Sequence, residues 1–416
     1  MLQRPRGTAD VLDPKEAERW QWLESTARRV CARAGFSEVR TPTFEATELF
    51  ARTSGESSDV VQKEMYTFQD QGGRALTLRP ESTASVVRAY QEAKLSGVHK
   101  FYYLQAHFRY ERPQKGRLRE HHQFGCEILG TDAPLADAEL IGAAWTFLSE
   151  AGLGDLMVSL NSIGDPNCRP AYRQALQAYY RPHQAELCTD CQRRLEDNPL
   201  RLLDCKQDGC QALKTGAPKS RQYLCSACQE HFREVLRLLD QVGIRHKFDD
   251  LLVRGLDYYT RTVFAISHAA LGAQSDVCGG GRYDQLSEAI GGEPLPGVGF
   301  GLGLERLLIS LGESDRVAQP VRLYLAVTSE QMQGPALALA MELRRSGLTV
   351  EVELARRSLK AQFRRADKEG FSHVGVFGPD EMASGALTVR DLLAGKESRH
   401  PTTELANILR TGAPAL

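Results

Sequence analysis

The sequence predicts an α+β protein: an antiparallel, strand-rich part interrupted by a helical stretch, followed by a small α/β unit. Three observations carry this. Between about residues 65 and 129, strand-like segments follow one another without regular alternation with helices, which argues against a parallel doubly wound sheet. From Pro166 to Val242 the pattern becomes helical and gathers cysteines, as an inserted module would. Beyond Pro320 the period changes to strand–helix–strand.

A chain of 416 residues is too long for one ordinary core and is expected to form about two to three domains. With 42% hydrophobic and 25% charged residues it has material for a sizeable core. A formal net charge of −1 excludes a globally basic nucleic-acid binder, so any phosphate contact must come from local patches. The opening, with Arg4, Arg6 and Asp10, has no apolar signal core, and no window approaches the roughly 18 apolar residues of a membrane span. Ten cysteines without a leader are expected to be reduced thiols in the cytoplasm rather than a disulfide framework.

Asp13-Pro14 is an N-cap followed by proline in the first turn, and Ala17, Trp20, Leu23, Ala27, Val30 and Ala34 recur at helical spacing until Gly35. Met65 to Gln69 and Arg74 to Leu78 read as a hairpin around Gly72-Gly73, with a helix following from Thr83 to Leu95. Phe101 to Tyr110 and His121 to Leu129 read as strands flanking a charged loop. Further strands are expected at Leu251 to Val253, Thr262 to Ile266 and Val298 to Gly303, the last entering a helix at Glu305 to Leu311. Gln319-Pro320 marks a linker. After it come Leu323 to Val327, Ala336 to Arg345, Thr349 to Leu354, Leu359 to Lys368 and Val374 to Phe377, a strand–helix–strand–helix–strand order that implies a mostly parallel sheet.

The loop from Phe108 to Arg119 sets Arg109, Arg112, Lys115, Arg117 and Arg119 against the single acid Glu111. Guanidinium groups pair bidentately with phosphate oxygens, so the loop suits ATP or a nucleic-acid backbone; a solvated hairpin tip is the alternative. No Gly-x-x-x-x-Gly-Lys-Ser/Thr string occurs. Gly297, Gly299, Gly301 and Gly303 alternate, which either lets a flat ring approach the strand or allows tight strand–helix packing. Arg254-Gly255-Leu256-Asp257-Tyr258-Tyr259 either builds a polar pocket or forms a turn with two half-buried tyrosines. Cys188-x-x-Cys191 and Cys225-x-x-Cys228 have the spacing of a tetrathiolate zinc site in which each pair clasps one side of the ion.

Taken together, these segments resemble the histidyl-tRNA synthetases of bacterial type, members of the class II aminoacyl-tRNA synthetases. The resemblance runs nearly end to end. It includes Arg6 to Asp10, Arg40-Thr41-Pro42 (similar to motif 1), Leu78-Arg79-Pro80-Glu81 with the Arg109 loop through Glu127 (motif 2), Gly280 to Asp284, and Gly301 to Arg306 (motif 3). Motifs 2 and 3 belong to the whole class, whereas the Arg254 to Tyr259 string separates the histidine enzyme from its relatives. A non-catalytic relative, such as the synthetase-like regulatory subunit of ATP phosphoribosyltransferase, fits less well, because Arg109, Arg254 and Arg306 are all present.

The resemblance implies an antiparallel six-stranded catalytic sheet in residues 1–165 and 244–318, a helical, Cys-rich insertion at 166–243, and an anticodon-binding α/β domain at 321–416. It implies ATP, Mg²⁺, L-histidine and tRNA-His as cofactors and partners, a homodimer built on motif 1, and no membrane association. Arg109 would bind the α-phosphate and Arg306 the γ-phosphate end of ATP, with Glu111 and Arg117 beside them. Glu81, Thr83 and Gln123 would hold the α-amino group of histidine, with Ser82 also among the histidine-binding residues. Glu127 and Tyr259 would contact the imidazole nitrogens, with Tyr258 adjacent. Arg254 would lie between the carboxylate and the α-phosphate, where most of the class uses a metal ion, so no metal ligand is assigned there. The family does not require a metal at the cysteines either, leaving zinc and reduced structural thiols both open. Ser82 replaces a common glycine, and His121-His122 replaces an aromatic-histidine pair, which puts only local loop packing in doubt.

Overall fold

The computed structural model describes residues 2–55, 60–268, 276–312 and 321–411, in two compact units, Met1–Ser314 and Asp315–Leu416. The linker dipeptide Gln319-Pro320 lies outside the described residues. The first helix, Pro14–Arg33, starts where the sequence places it: the Asp13 carboxylate accepts the Lys15 amide at 2.9 Å, and Leu23, Ala27 and Val30 are buried.

Eleven strands of the first unit are described: β1 (Ser37–Glu38), β2 (Phe44–Ala46), β3 (Tyr66–Gln69), β4 (Ala75–Leu78), β5 (His99–Phe108), β6 (Glu120–Leu129), β7 (Leu156–Ser162), β8 (His246–Phe248), β9 (Thr260–His268), β10 (Asp276–Arg282) and β11 (Gly297–Gly303). Eight form one sheet in the order β1-β5-β6-β11-β10-β9-β7-β8. Its six central strands are antiparallel throughout, as expected; short β1 and β8 extend it at the edges in parallel. The expected hairpin of β3 and β4 forms, and β2 joins it in a separate three-stranded sheet.

Successive strand residues face opposite sides, and the large sheet uses this to separate core from site. From β6, Phe124, Cys126 and Ile128 enter a core shared with Val298, Phe300 and Leu302 of β11 and with Leu140, Ile141, Ala144 and Phe147 of the helix Pro134–Glu150. The intervening residues Gln123, Gly125 and Glu127 of β6, paired with Gly303, Gly301 and Gly299 of β11, take the other face.

Residues 169–241 form the expected helices, among them Arg169–Tyr180, Thr189–Asp197 and Ser226–Gln241, joined by short 3₁₀ turns. The expected strand at Leu251 to Val253 does not form. The Asn161 side-chain amide donates to the carbonyls of Asp250 (3.3 Å) and Leu252 (3.0 Å), spending the segment's acceptors on a loop. The apolar run reflects packing into the second core beside Tyr258 and Tyr259.

The second unit holds β12 (Arg322–Val327), β13 (Thr349–Val352), β14 (His373–Phe377), β15 (Ala386–Asp391) and β16 (Glu397–Pro401) in the order β13-β12-β14-β15-β16. The first three are parallel, as the sequence predicts, with helices Gln333–Arg345 and Leu359–Lys368 between them. β15 and β16 add an antiparallel hairpin. β16 escapes sequence reading because it is exposed at every position but His400, leaving no apolar alternation.

Arg282 and Asp137 are both fully buried and ion-paired; Arg282 also donates to the Thr131 carbonyl (2.9 Å) and Asp284 (3.1 Å), and His231 lies 3.4 Å from Asp137. Removing one partner of such a pair leaves an uncompensated buried charge. Asp137→Ala is therefore expected to lower stability in chemical denaturation by about 3–5 kcal/mol, with much of it recovered when Arg282→Met accompanies Asp137→Leu.

Candidate functional site

A cavity of about 1050 Å³ opens over the free face of the large sheet. Glu81, Thr83, Arg109, Glu111, Arg117, His121 and Gln123 line it from the motif-2 segments. Arg254, Tyr258 and Tyr259 enter from the loop before β9, and Glu305 and Arg306 from the start of the helix Leu304–Leu311. Residues scattered over more than two hundred positions thus meet in one place.

Ser82 is an exception. Its fully buried hydroxyl lies between the Gln105 side-chain oxygen (2.9 Å) and the His107 Nε2 (2.7 Å), behind the cavity wall. Its side chain braces β5 against the start of the helix Thr83–Glu92 and does not line the cavity. His121 lines the cavity as a neutral imidazole, because burial, with Arg109 adding to it, pulls its pKa down to about 3. His122 turns the other way and is held by Glu305, which accepts from its amide at 2.8 Å and meets its Nδ1 at 3.0 Å; this contact raises the His122 pKa.

In the cavity wall the Glu81 carboxylate accepts the amides of Thr83 (2.6 Å) and Ala84 (3.0 Å), so the opening turn of a helix fixes its orientation. Burial pushes its pKa up, against the pull of those amides and of Arg109. Glu127 lies behind the lining residues Thr83 and Gly299, wholly buried, accepting from the Thr83 hydroxyl at 2.7 Å and from the Tyr283 hydroxyl. Burial drives its pKa up to about 8 despite both donors. Tyr258 and Tyr259 pack with ring centroids 4.7 Å apart, and Tyr258 meets Tyr283 edge-on.

The glycines of β11 serve both readings of the sequence, at different ends. A Cβ on Gly299 would overlap the Glu127 carboxylate, and one on Gly297 would strike the Tyr283 ring; a Cβ on Gly303 meets nothing within 4 Å. The first two make room for buried side chains, and the last leaves open cavity.

Arg109, Arg117, Arg254 and Arg306 line the same cavity. The Arg109 Nε donates to the Pro80 carbonyl at 2.8 Å, which directs its guanidinium along the wall. Arg117 meets Glu111 at 3.2 Å. Arg306 lies across Gly116, whose positive φ of 74° turns the loop back over the cavity. Arg254 lies flat on Gly279, where any Cβ would collide with its guanidinium, and its buried Nε has no partner among the described residues.

Tyr103 and Tyr283 were not singled out in the sequence. Tyr103 lines the cavity and fills the space over Gly125, and Tyr283 donates to Glu127. The available signal was Tyr103 sharing strand parity with Gln105, which becomes meaningful only once β5 and β6 are in register. The two Cys-x-x-Cys pairs do not converge, contrary to expectation. Cys188 and Cys191 sit with Cys205 and Cys210, whereas Cys225 and Cys228 sit with Cys168 and Asp165.

Glu127 gives a pH signature. Its folded pKa of about 8 lies above the ordinary 4.5, so the stability contributed by the neutral buried acid is complete below about pH 4.5 and is lost as pH rises through about 8. Glu127→Gln, which cannot ionise, is expected to flatten the fall in unfolding free energy between pH 5 and pH 8.5; an unchanged slope in denaturant titrations would assign it to other groups.

Comparison with known proteins agrees with this geometry. Residues 7–307 match the family model described as histidyl-tRNA synthetase, and residues 322–411 match the anticodon binding domain. The chain is 46% identical over 415 residues to a histidine–tRNA ligase of Desulfitobacterium hafniense, covering 98% of this chain and 97% of the relative. It is 47% identical over 417 residues to that of Desulforamulus reducens, covering 99% of each. The crystal structure of the apo histidyl-tRNA synthetase of S. aureus superposes with a TM-score of 0.81 at 33% identity, over 99% of this chain and 100% of that one. The chain belongs to the histidyl-tRNA synthetase family.

Proposed function

We propose that this cavity activates L-histidine with ATP and then passes the histidyl group to the 3′ end of tRNA-His, with the division of labour that follows. The observation that carries it is that Arg109, Arg254 and Arg306 line one cavity together with Glu81, Thr83, Gln123 and Tyr259, with Glu127 buried behind Thr83.

An imidazole needs an acceptor at one nitrogen and a compatible partner at the other, which Glu127 and the Tyr259 hydroxyl supply. Glu81, Thr83 and Gln123 receive the α-ammonium group. One carboxylate oxygen of histidine attacks the α-phosphorus in line, the bond to the bridging oxygen breaks, and pyrophosphate leaves. This joins two anions, so Arg109 and Arg254 at the α-phosphate relieve repulsion and stabilise the developing charge. Arg306 and Arg117 hold the far phosphates. Glu111 and Glu305 line the same cavity and offer the hard carboxylate oxygens that suit Mg²⁺, which would neutralise phosphate charge when bound. A ribose hydroxyl of tRNA then attacks the acyl carbon and AMP departs.

Residues 1–165 and 244–318 would form the catalytic part, 166–243 the insertion, and 321–416 the anticodon reader. A homodimer in the cytoplasm fits the exposed Phe44–Phe68 pair near Arg40-Thr41-Pro42, an apolar feature suited to burial against a second copy.

The test is isotope exchange of pyrophosphate into ATP. It is expected to require histidine and Mg²⁺, with proline, threonine or glycine giving little. Arg254→Ala should cost about 3–4 kcal/mol of transition-state stabilisation, as loss of a charge-stabilising donor does. Exchange driven equally by another amino acid, or a near-normal rate in the variant, would overturn the assignment.

In the C-terminal unit, Lys360, Arg364 and Lys368 are exposed at four-residue spacing on one helix, forming a stripe suited to tRNA phosphates. Arg365 is instead paired internally with Glu351 (2.6 Å) and Glu369 (2.9 Å). Replacing the three stripe residues by alanine should raise KM for tRNA several-fold and leave pyrophosphate exchange unchanged; equal losses in both assays would place the stripe in folding.

A further inference from the structure

We propose that the cysteine-rich segment holds two structural zinc ions, one bound by Cys188, Cys191, Cys205 and Cys210, the other by Cys168, Cys225, Cys228 and Asp165.

In each group the four ligand atoms lie within 4.8 Å of one another. The Cys188 and Cys205 sulfurs are 3.8 Å apart, as are those of Cys168 and Cys228. A tetrahedron with Zn–S bonds of about 2.3 Å has edges of about 3.8 Å. A disulfide would need about 2.05 Å, and all ten cysteines are unpaired. Spacing alone would not suffice. Cys31 and Cys126 are 3.7 Å apart in the sheet core, but they belong to no such group of four. What distinguishes the two groups is a complete ligand set.

Both groups share a local construction. Cys188 and Cys225 are N-caps with extended backbone, and Cys191 and Cys228 follow in the first turns of the helices Thr189–Asp197 and Ser226–Gln241. Cys168 likewise caps the helix Arg169–Tyr180. Free amides at a helix start favour thiolate over thiol. Backbone N–H groups also reach the sulfurs, from Cys188 to Cys210 at 3.3 Å and from Asp165 to Cys168 at 3.4 Å.

Both groups would carry the same net charge of −2, from four thiolates around Zn²⁺ in one and three thiolates with a carboxylate in the other. The Asp165 group has cations beside it to offset that charge. Arg261 lies 3.9 Å from Asp165, and the largely buried Arg169 follows Cys168 directly. Two cations therefore stand where two charges need offsetting.

Between Arg181 and Gln222 the chain runs through short helices and 3₁₀ turns. One ion would tie the helix Thr189–Asp197 to Cys205 and Cys210, and Cys188 and Cys205 both line the cavity. The other would tie the helix Ser226–Gln241 to the turn at Asp165. There Arg169 donates to the Tyr259 carbonyl at 2.5 Å, connecting this second ion to the loop that carries Arg254.

The test is metal analysis of the full-length protein purified without chelator, by elemental analysis and native mass spectrometry. Two zinc ions per chain are expected, falling to one in Cys205→Ser and to one in Cys225→Ser. One ion per chain, lost in Cys188→Ser and Cys225→Ser but kept in Cys205→Ser, would overturn the proposal in favour of one site shared by the two Cys-x-x-Cys pairs. A folded protein without zinc would overturn it outright, and a variant that leaves the content unchanged would overturn its own group. Should a variant fail to fold, Co²⁺ titration of the metal-stripped wild type decides. Visible bands of tetrahedral, thiolate-bound cobalt that saturate at two equivalents support the proposal, and saturation at one equivalent or none refutes it.

Discussion

Burying the Glu127 carboxylate directly behind the cavity lining constrains almost everything around it. A carboxylate there needs donors, which Thr83 and Tyr283 supply from two different elements, and it needs space, which only a glycine at 299 leaves. Its neighbours on β6 must keep strict alternation, because a slip of one residue would send Glu127 into the core and Cys126 into the cavity. The alternating glycines of β11, the Tyr283 hydroxyl and the start of the helix Thr83–Glu92 are thus parts of one arrangement. The buried Arg282–Asp137 pair anchors the end of β10, one residue before Tyr283, and so holds that donor in place.

The cavity gathers both signs of charge. Acids, hydroxyls and guanidinium groups line it together, and His121 among them stays neutral. The cations are kept apart by different devices: Arg109 by a backbone carbonyl, Arg117 by Glu111, and Arg254 by stacking on Gly279. Arg109 and Arg117 both approach Glu111, at 4.0 and 3.2 Å, and the buried Nε of Arg254 has no hydrogen-bond partner among the described residues. This mixed lining suits a reaction that brings a zwitterionic amino acid against a polyphosphate.

The cysteine-rich segment contributes to the site through its wall. Tyr172, Leu176 and Tyr180 share a core with Tyr258 and Tyr259, so the aromatic side of the cavity rests on helices from an inserted stretch. The loop that carries Arg254 has no strand to fix it and depends on Asn161, Arg169 and this packing.

Much was legible in the sequence because local signals there agree with the fold. Asp13-Pro14 starts a helix by its own chemistry, the parallel strands of the C-terminal unit are separated by helices of regular period, and the strings around Arg109, Arg254 and Arg306 identify the family by residue type alone. Other features exist only between distant segments. Leu251 to Val253 reads as a strand because apolar runs look alike whether they join a ladder or pack as a loop, and the deciding hydrogen bonds come from Asn161, ninety residues earlier. Ser82 sits between two site residues in sequence, yet the start of the helix turns its hydroxyl away from them. The two Cys-x-x-Cys pairs are matched by spacing, but the backbone carries them to different partners, Cys205 and Cys210 in one case, Cys168 and Asp165 in the other. Spacing along a chain determines which side chains share a turn; which turns share a space is set by the packing of the whole domain.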